Sequence, residues 1–254
     1  MCRKLAASRK VPRYNARMQF PIRAITIDLD DTVWPFAPIG ARIEQALDAF
    51  LREHSPATAE RYPIERMREL RARVYAENAH LAHDVEALRQ LTIEHALRDS
   101  GGDVGLLDPA YRVFHAERNR IEFYPDSLDA LARIASRVPM AALTNGNADI
   151  EHIGLSHLFA FKLAAREHGA AKPEASIFHA ACTRLGCAHG DVLHVGDHIE
   201  MDVAGAARAG LRTCWINRED RRWEHPELAP DLEFDTLTAL ADWLDTVPTA
   251  ADDA

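Results

Sequence analysis

The residues best suited to chemistry are four polar side chains that follow a short apolar run near the start of the chain. Residues 24–27 are apolar or β-branched, and Asp28, Asp30, Asp31 and Thr32 come directly after them. Such a segment ending in carboxylates is typical of a buried parallel strand that delivers acids to the carboxyl edge of a sheet. The pattern predicts a ligand site at that edge.

Three further groups of polar residues stand at or near the predicted ends of later strands. The carboxyl ends of parallel strands lie at one edge of a sheet, so residues distant in sequence can meet in one pocket there. We therefore expect these groups to converge with the first one. In chain order they are Thr144-Asn145-Gly146, Lys172-Pro173, and Gly196-Asp197 with Asp202.

The four groups, in this order, resemble the motifs of the haloacid-dehalogenase-like (HAD) superfamily. The segment DLDDT matches the first motif, LTNGN the second, GAAKP the third and GDHIEMD the fourth. The resemblance extends over residues 22–245. It implies an α/β fold in which a doubly wound, Rossmann-like parallel sheet carries an inserted helical cap, and it implies Mg²⁺ as the cofactor.

The resemblance assigns roles to the acids of the first motif. Asp28 is expected to attack a phosphoryl group and form an aspartyl phosphate, because a bound cation offsets the repulsion between two anions. Asp30 is expected to protonate the leaving alkoxide and then activate water, with its backbone carbonyl facing the metal. Its alternative role is helix capping. Thr32 is expected to steady the turn, and Asp31 has no assigned role.

The second and third motifs are expected to bind the phosphate. The Thr144 hydroxyl and the backbone N–H of Asn145 would donate hydrogen bonds to the phosphoryl oxygens, and Gly146 would support that turn. Lys172 would place a positive charge beside Asp28 and the phosphate. Pro173 is expected in the first turn of a helix.

The fourth motif is expected to complete the metal site. Asp197 should be a direct Mg²⁺ ligand together with Asp28 and Asp30, since this ion prefers oxygen ligands, and Gly196 supports it. Asp202 is expected either to hold a metal-bound water or to orient Lys172. An alternative is a favourable charge at a helix N-terminus.

The motifs indicate a Mg²⁺-dependent phosphatase of a small-molecule phosphate monoester. The core segments also resemble bacterial phosphatases of FMN and of the phosphorylated ribitylaminopyrimidine of riboflavin synthesis. Phosphoglycolate, nucleotide and sugar phosphatases of the superfamily remain alternatives. A metal-free 2-haloacid dehalogenase is disfavoured because Asp30 and Asp197 are both present. A phospho-receiver signalling domain is disfavoured by the chain length and the inserted helices.

The elements that must position these residues follow from periodicity. Helical patterns between Ile39 and Arg120 predict a four-helix cap, with domain limits of 36–122 for the cap and 21–35 plus 123–254 for the core. Alternating strands and helices elsewhere predict the sheet. The predicted strands are Ile22–Asp28, Met140–Thr144, Phe161–Ala164, Val192–Val195, Leu211–Ile216 and, at an edge, Leu232–Phe234. The predicted helices are Asp126–Arg137, Asp149–Leu155, Glu174–Leu185, Met201–Ala209 and Leu237–Leu244.

Two aromatic residues and one histidine near the motifs are interpreted from their positions. Trp34 and Phe36 follow the first motif and are expected either to form part of the pocket wall or to pack as a plug between core and cap. His194 lies in an apolar strand and is interpreted as a hydrogen-bonded core histidine.

Composition limits the partners of the 254-residue chain. Its net charge is −9, whereas a dedicated nucleic-acid binder must present a basic face. No apolar run approaches the roughly 20 residues of a membrane-spanning helix. The four cysteines lack zinc-site spacing, which indicates reduced thiols and a cytoplasmic protein. We therefore expect a small phosphate ester as partner, without nucleic acid or membrane, and the oligomeric state stays open.

The first twenty residues are basic and contain no acid. We expect residues 1–20 to be a disordered extension, or to begin upstream of a true start at Met18. A transit peptide or an anion-binding arm is the alternative.

Overall fold

The computed structural model describes residues 20–225 and 227–247, and its centre is a six-stranded parallel sheet. The order of the strands across the sheet is β3-β2-β1-β4-β5-β6, and every neighbouring pair is parallel. β1 therefore lies at the middle of the sheet, and β6 is an edge strand as predicted. The strands are β1 Ala24–Ile27, β2 Met140–Thr144, β3 Phe161–Ala164, β4 Val192–Gly196, β5 Arg212–Ile216 and β6 Leu232–Phe234.

Helices cover both faces of the sheet, which confirms the doubly wound α/β fold. Successive side chains of a strand point to opposite faces. Ile25 and Ile27 accordingly pack in the cluster that contains the helices Ser127–Arg137 and Leu237–Leu244. Ala24 packs in the cluster that contains the helix Ala175–Leu185.

Five helices lie between β1 and the next core helix. They form their own apolar core, which includes Leu47, Leu51, Leu70, Ile93 and Leu97. This arrangement confirms the helical insert, and the boundaries at residues 36 and 122 stay a prediction. The helices are α1 Phe36–His54, α2 Pro56–Arg61, α3 Ile64–Glu77, α4 Val85–Asp99 and α5 Leu107–Arg118, and the core helices that follow are α6 Ser127–Arg137, α7 Ala165–His168, α8 Ala175–Leu185, α9 Gly205–Arg208 and α10 Leu237–Leu244.

The short helix α2 was not predicted, and hydroxyl groups explain why it forms. Pro56 stands at its first position, where the missing N–H costs nothing. The Thr58 hydroxyl lies 2.7 Å from that of Ser55 and 2.7 Å from that of Ser100 at the end of α4. These contacts join α2 to the rest of the insert.

The helix predicted at Asp149–Leu155 is wrong: this segment is a series of turns. The Asp149 side chain accepts hydrogen bonds from the N–H groups of Glu151 (3.0 Å) and His152 (3.1 Å). Gly154 has a left-handed φ of 85°. A side chain that bonds nearby N–H groups competes with a regular helix, and the left-handed residue ends the turn.

Two other helix starts differ from the sequence prediction. The segment after β4 begins at Ile199 as a π-helix, Ile199–Ala204, and continues as α9. The His198 ring nitrogen Nδ1 accepts from the N–H groups of Glu200 and Met201 and so fixes this earlier start. Pro173 precedes α8 and does not lie in its first turn.

The basic segment 1–19 lies outside the described residues. Phe20, which was predicted to belong to that extension, is instead buried, with its ring centroid 5.7 Å from that of Trp243. Among the helices of residues 20–225 and 227–247, none combines the length and apolarity that crossing a membrane requires.

Candidate active site

The four sequence motifs meet at the carboxyl edge of the sheet. Asp28 follows β1, Thr144 ends β2, and Asp197 follows β4. Lys172, in the loop before α8, contacts the end of β1 and the π-helix that follows β4. Its Nζ donates to Asp28 Oδ1 at 2.5 Å and to Asp202 Oδ1 at 2.6 Å. The residues predicted to share one edge therefore do so.

Lys172 is a buried cation held between two carboxylates. Burial by itself disfavours its charged form, but the charges of Asp202 and Asp28 outweigh that effect and raise the pKa of Lys172 above its usual value. Asp202 is also buried, which raises its pKa, yet Lys172 and a hydrogen bond from His194 outweigh burial and hold the pKa of Asp202 below its usual value. These two groups are an ion pair at neutral pH.

Three carboxylates form the acidic part of the site. One oxygen from each of Asp28, Asp197 and Asp202 lies within 4.8 Å of the others. Burial raises the pKa of Asp28, opposed by Lys172. Burial, followed by the charges of Asp202 and Asp31, raises the pKa of Asp197 to about 7. This concentration of negative charge and of hard oxygen donors fits a divalent cation.

The carboxylate of Asp202 has more hydrogen-bond partners than that of Asp28 or Asp197. Besides Lys172, it accepts from the backbone N–H of His198 at 2.9 Å and lies 3.2 Å from His194 Nε2. The other nitrogen of that ring, His194 Nδ1, is 2.9 Å from the hydroxyl of Thr26. His194 is thus a buried, hydrogen-bonded core residue. Of the two roles predicted for Asp202, its contact with Lys172 supports the orienting one.

Two glycines allow this close packing. A Cβ atom at Gly196 would lie 2.3 Å from Asp202 Cγ, and a Cβ at Gly146 would lie 2.7 Å from Asp30 Oδ2. Both distances are far below van der Waals contact. The glycines of the second and fourth motifs therefore keep space for the carboxylates.

Asp30 is not a member of the three-carboxylate group. Its Oδ1 accepts from Trp34 Nε1 at 2.8 Å, and Arg118 Nη2 donates to both carboxylate oxygens, at 3.0 and 2.7 Å. Arg118 ends helix α5 of the insert and is 2% exposed. Asp30 as a metal ligand through its backbone carbonyl stays a prediction. Nothing in the sequence marked Arg118, because the insert contains no recognisable motif.

The second motif holds the lysine loop as well as the strand end. The Asn145 side chain accepts from the backbone N–H of Lys172 at 2.8 Å and donates to its carbonyl at 2.9 Å. Thr144 Oγ1 accepts from the backbone N–H of Gly146 at 2.9 Å. This side-chain role of Asn145 was missed from the sequence, which assigned only its backbone N–H.

The turn after β1 is fixed by residues with no predicted chemistry. Asp31 has a φ of 58°, and its carboxylate accepts from the N–H of Phe36 at 2.8 Å, the first residue of α1. Asp31 thereby gives a partner to the first N–H group of the insert's first helix, which has none within the helix. Thr32 Oγ1 lies 3.5 Å from Asp197 Oδ1, and Arg218 donates to the Thr32 carbonyl at 2.9 Å.

A cavity of about 400 Å³ separates the insert from this edge of the sheet. Of the two aromatic residues, Phe36 lines the cavity, whereas Trp34 is fully buried and its ring lies edge-on to Phe123 at 5.9 Å. Phe36 therefore has the predicted position in the pocket wall, and the role of Trp34 as a plug between core and cap stays a prediction. Lining side chains include Asp30, Phe36, Tyr75, Arg89, Phe114 and Arg118.

Several known proteins resemble this chain in sequence. A family model described as haloacid dehalogenase-like hydrolase matches residues 22–210. The 5-amino-6-(5-phospho-D-ribitylamino)uracil phosphatase YigB of Escherichia coli is 34% identical over 230 residues, which cover 86% of this chain and 94% of that protein. Phosphoserine phosphatase of Thermus thermophilus is 34% identical over 155 residues, which cover 59% of this chain and 62% of that protein.

A solved structure also resembles the whole fold. The structure titled 2-haloacid dehalogenase from Pseudomonas syringae superposes with a TM-score of 0.82 and is 36% identical, covering 88% of this chain and 98% of that one. Relatives named for two different activities therefore match the chain at similar identity.

Proposed function

Because the chain belongs to the haloacid dehalogenase-like hydrolase family, we propose that it is a Mg²⁺-dependent phosphatase that hydrolyses a small-molecule phosphate monoester through a phospho-Asp28 intermediate. The observation that carries this proposal is the group of Asp28, Asp197 and Asp202 next to the buried cation Lys172. Three acids and one lysine leave negative charge for a divalent cation to balance.

In the first step, an Asp28 carboxylate oxygen forms a bond to phosphorus while the bond between phosphorus and the leaving oxygen breaks. Asp30 transfers a proton to that leaving oxygen. The Thr144 hydroxyl, the Asn145 N–H and the Lys172 ammonium donate to the phosphoryl oxygens. A divalent cation bound by Asp28 and Asp197, with the Asp30 carbonyl, would supply further charge neutralisation when present.

In the second step, Asp30 accepts a proton from water. The resulting hydroxide oxygen bonds to phosphorus, and the bond from phosphorus to the Asp28 oxygen breaks, which releases phosphate and restores the enzyme. Lys172 remains charged throughout, because Asp202 keeps it paired even when Asp28 is phosphorylated. This role gives Asp202 a function without direct contact with substrate.

The substrate proposed first is a ribitylaminopyrimidine phosphate or FMN. The relative from Escherichia coli, which aligns with most of this chain, supports the former. The other relatives keep phosphoserine and related small esters as alternatives. The proposed location is the cytoplasm, on the basis of the unpaired cysteines Cys182, Cys187 and Cys214.

A second candidate function is hydrolysis of 2-haloacids, which the relative from Pseudomonas syringae supports. In that reaction an Asp28 oxygen would displace halide from carbon, and water would then hydrolyse the resulting ester. The displacement leaves no alkoxide to protonate, so Asp30, placed at the cavity wall with Arg118, would have no acid role there. The proton-transferring carboxylate therefore favours the phosphatase.

A single assay with two readouts tests both candidates. The protein is incubated with phosphate esters that include FMN, phosphoserine and phosphoglycolate, and separately with 2-chloropropionate, each with Mg²⁺ or with EDTA. We expect phosphate release that requires Mg²⁺ and no chloride release. Chloride release that persists in EDTA, without phosphate release from any ester, would refute the proposal.

A further inference from the structure

The cavity beside Asp30 contains more donors than its own residues satisfy. Arg118 Nη1 and Arg89 Nε are both buried and have no hydrogen-bond partner. Arg118 uses its Nη2 on Asp30 and its Nε on the Asn147 side chain at 3.2 Å. An unsatisfied buried N–H costs free energy, so each of these groups requires an oxygen partner, either from water or from a ligand in the cavity.

Arg89 is also the cation of the cavity that lacks an acidic partner. Arg118 is paired with Asp30 at 2.7 Å, and Arg71 is paired with Glu44 at 3.4 Å. Glu44 is further bound by Arg68, which lies outside the cavity. Among the described residues, Arg89 makes no ion pair, and its guanidinium lies 4.9 Å from the ring centre of Phe114. Burial lowers the pKa of Arg89 from its usual value.

The size of the cavity limits what could fill it. Its volume of about 400 Å³ is within the usual range for small-molecule sites, about 300–1,000 Å³. A leaving group of two or three carbon atoms, such as glycolate, would leave most of that space to water. The aromatic side chains Phe36 and Phe114 line the same space, so part of the wall is apolar.

We propose that Arg89, with the unpartnered N–H of Arg118, selects phosphate esters whose leaving group carries oxygen acceptors at the end remote from the phosphate. This inference rests on the proposed phosphatase function and names the class of its substrate. The acceptor is either a ring carbonyl of a heterocycle or a carboxylate. The cavity volume favours the larger leaving group, which is the heterocycle. Arg89 is thus a specificity-determining residue, and it takes no part in the bond-breaking steps.

The test compares three esters: FMN, whose leaving group has ring carbonyls; phosphoserine, whose leaving group has a carboxylate; and phenyl phosphate, whose leaving group has no remote oxygen. kcat and KM are measured for the wild type, Arg89→Met, Arg89→Lys and the control Arg112→Met. Arg112 is exposed on α5 and does not line the cavity. Thermal unfolding of each variant reports whether it folds.

We expect Arg89→Met to reduce kcat/KM for one acceptor-bearing ester by about ten- to a hundredfold more than for phenyl phosphate, chiefly through KM, because a charge-assisted hydrogen bond is lost. Arg89→Lys should restore part of the loss, and Arg112→Met should change none of the ratios. The ester that is affected identifies the acceptor, carbonyl or carboxylate.

Equal losses for all three esters, or no loss, would overturn the inference while leaving the phosphatase in place. A wild type that hydrolyses only phenyl phosphate would overturn it too. A wild type that hydrolyses none of the three but releases phosphate from another ester would overturn the inference alone. Release from no ester at all would refute the proposed function, and the inference with it. If Arg89→Met fails to fold, Arg89→Lys still tests the inference. A lysine ammonium would lie at a different position from the guanidinium, so the ratio of kcat/KM between the acceptor-bearing esters and phenyl phosphate must change.

Discussion

Replacing Gly196 with alanine is the substitution for which the structure gives the most direct expectation. The added Cβ would lie 2.3 Å from Asp202 Cγ, 2.5 Å from its Cβ and 2.5 Å from its Oδ2. The Asp202 side chain cannot simply rotate away. It is held by Lys172 at 2.6 Å and by the His198 N–H at 2.9 Å.

The size of the effect follows from these constraints. Inserting a methyl group into a packed site costs about 1–3 kcal/mol when the surroundings can shift. Here the shift must also weaken charge-assisted hydrogen bonds, worth about 1.5–3 kcal/mol each, so we expect a loss near the upper end, about 3 kcal/mol. For a protein of this size that corresponds to a fall in Tm of roughly 6–12 °C. Because Lys172 moves with Asp202, kcat should fall as well.

A matched control is available in the same half of the chain. A Cβ at Gly190 would have no neighbour within 4 Å, so Gly190→Ala should keep both Tm and kcat. Both variants are compared with the wild type by thermal unfolding and by phosphate release at saturating ester. If Gly196→Ala unfolds within about 2 °C of Gly190→Ala and keeps its kcat, the close packing of Asp202 against Gly196 is refuted.

Three further substitutions test the proposed roles. Asp28→Asn should abolish phosphate release while Tm stays near that of the wild type, since an amide oxygen is a poor nucleophile; substantial turnover would exclude Asp28 as the attacking group. Asp30→Asn should lower kcat/KM, which reports the formation of phospho-Asp28, by about 10²–10⁴-fold for alkyl phosphates and far less for p-nitrophenyl phosphate, because that leaving group needs no proton; equal losses in kcat/KM would speak against proton transfer to the leaving group. Lys172→Met should lower the free energy of unfolding in urea by about 3–5 kcal/mol, since Asp28 and Asp202 lose their buried partner, and a change below about 1 kcal/mol would contradict the ion-pair assignment.

The convergence of the site could be predicted from the sequence because it depends on one property of parallel sheets. Asp28, Thr144 and Asp197 each stand where an apolar run ends, and all strands point the same way. Their carboxyl ends therefore have to meet at one edge. Lys172 lies in a loop, and its side chain reaches the same edge, where it contacts Asp28 and Asp202.

The rest of the site depends on contacts that no local pattern encodes. Arg118 meets Asp30 across 88 positions of sequence, and it does so only because the insert folds back over the sheet. The helical pattern of α5 predicts which side of that helix is apolar but not what the insert covers. The turns at Asp149 were missed for a different reason, since a side chain competing for backbone N–H groups outweighed the helical periodicity.

The contact between Arg118 and Asp30 also connects substrate recognition with proton transfer. Phe114 and Arg118 are four residues apart on α5, so they lie on the same side of that helix. Phe114 lines the cavity with Arg89, while Arg118 fixes both oxygens of Asp30. A leaving group that packs on Phe114 therefore contacts the helix that orients the acid. Any displacement of α5 by an ill-fitting leaving group would move the Asp30 carboxylate with it. Differences between esters that arise through α5 should therefore appear in kcat, in addition to the KM effect expected from Arg89.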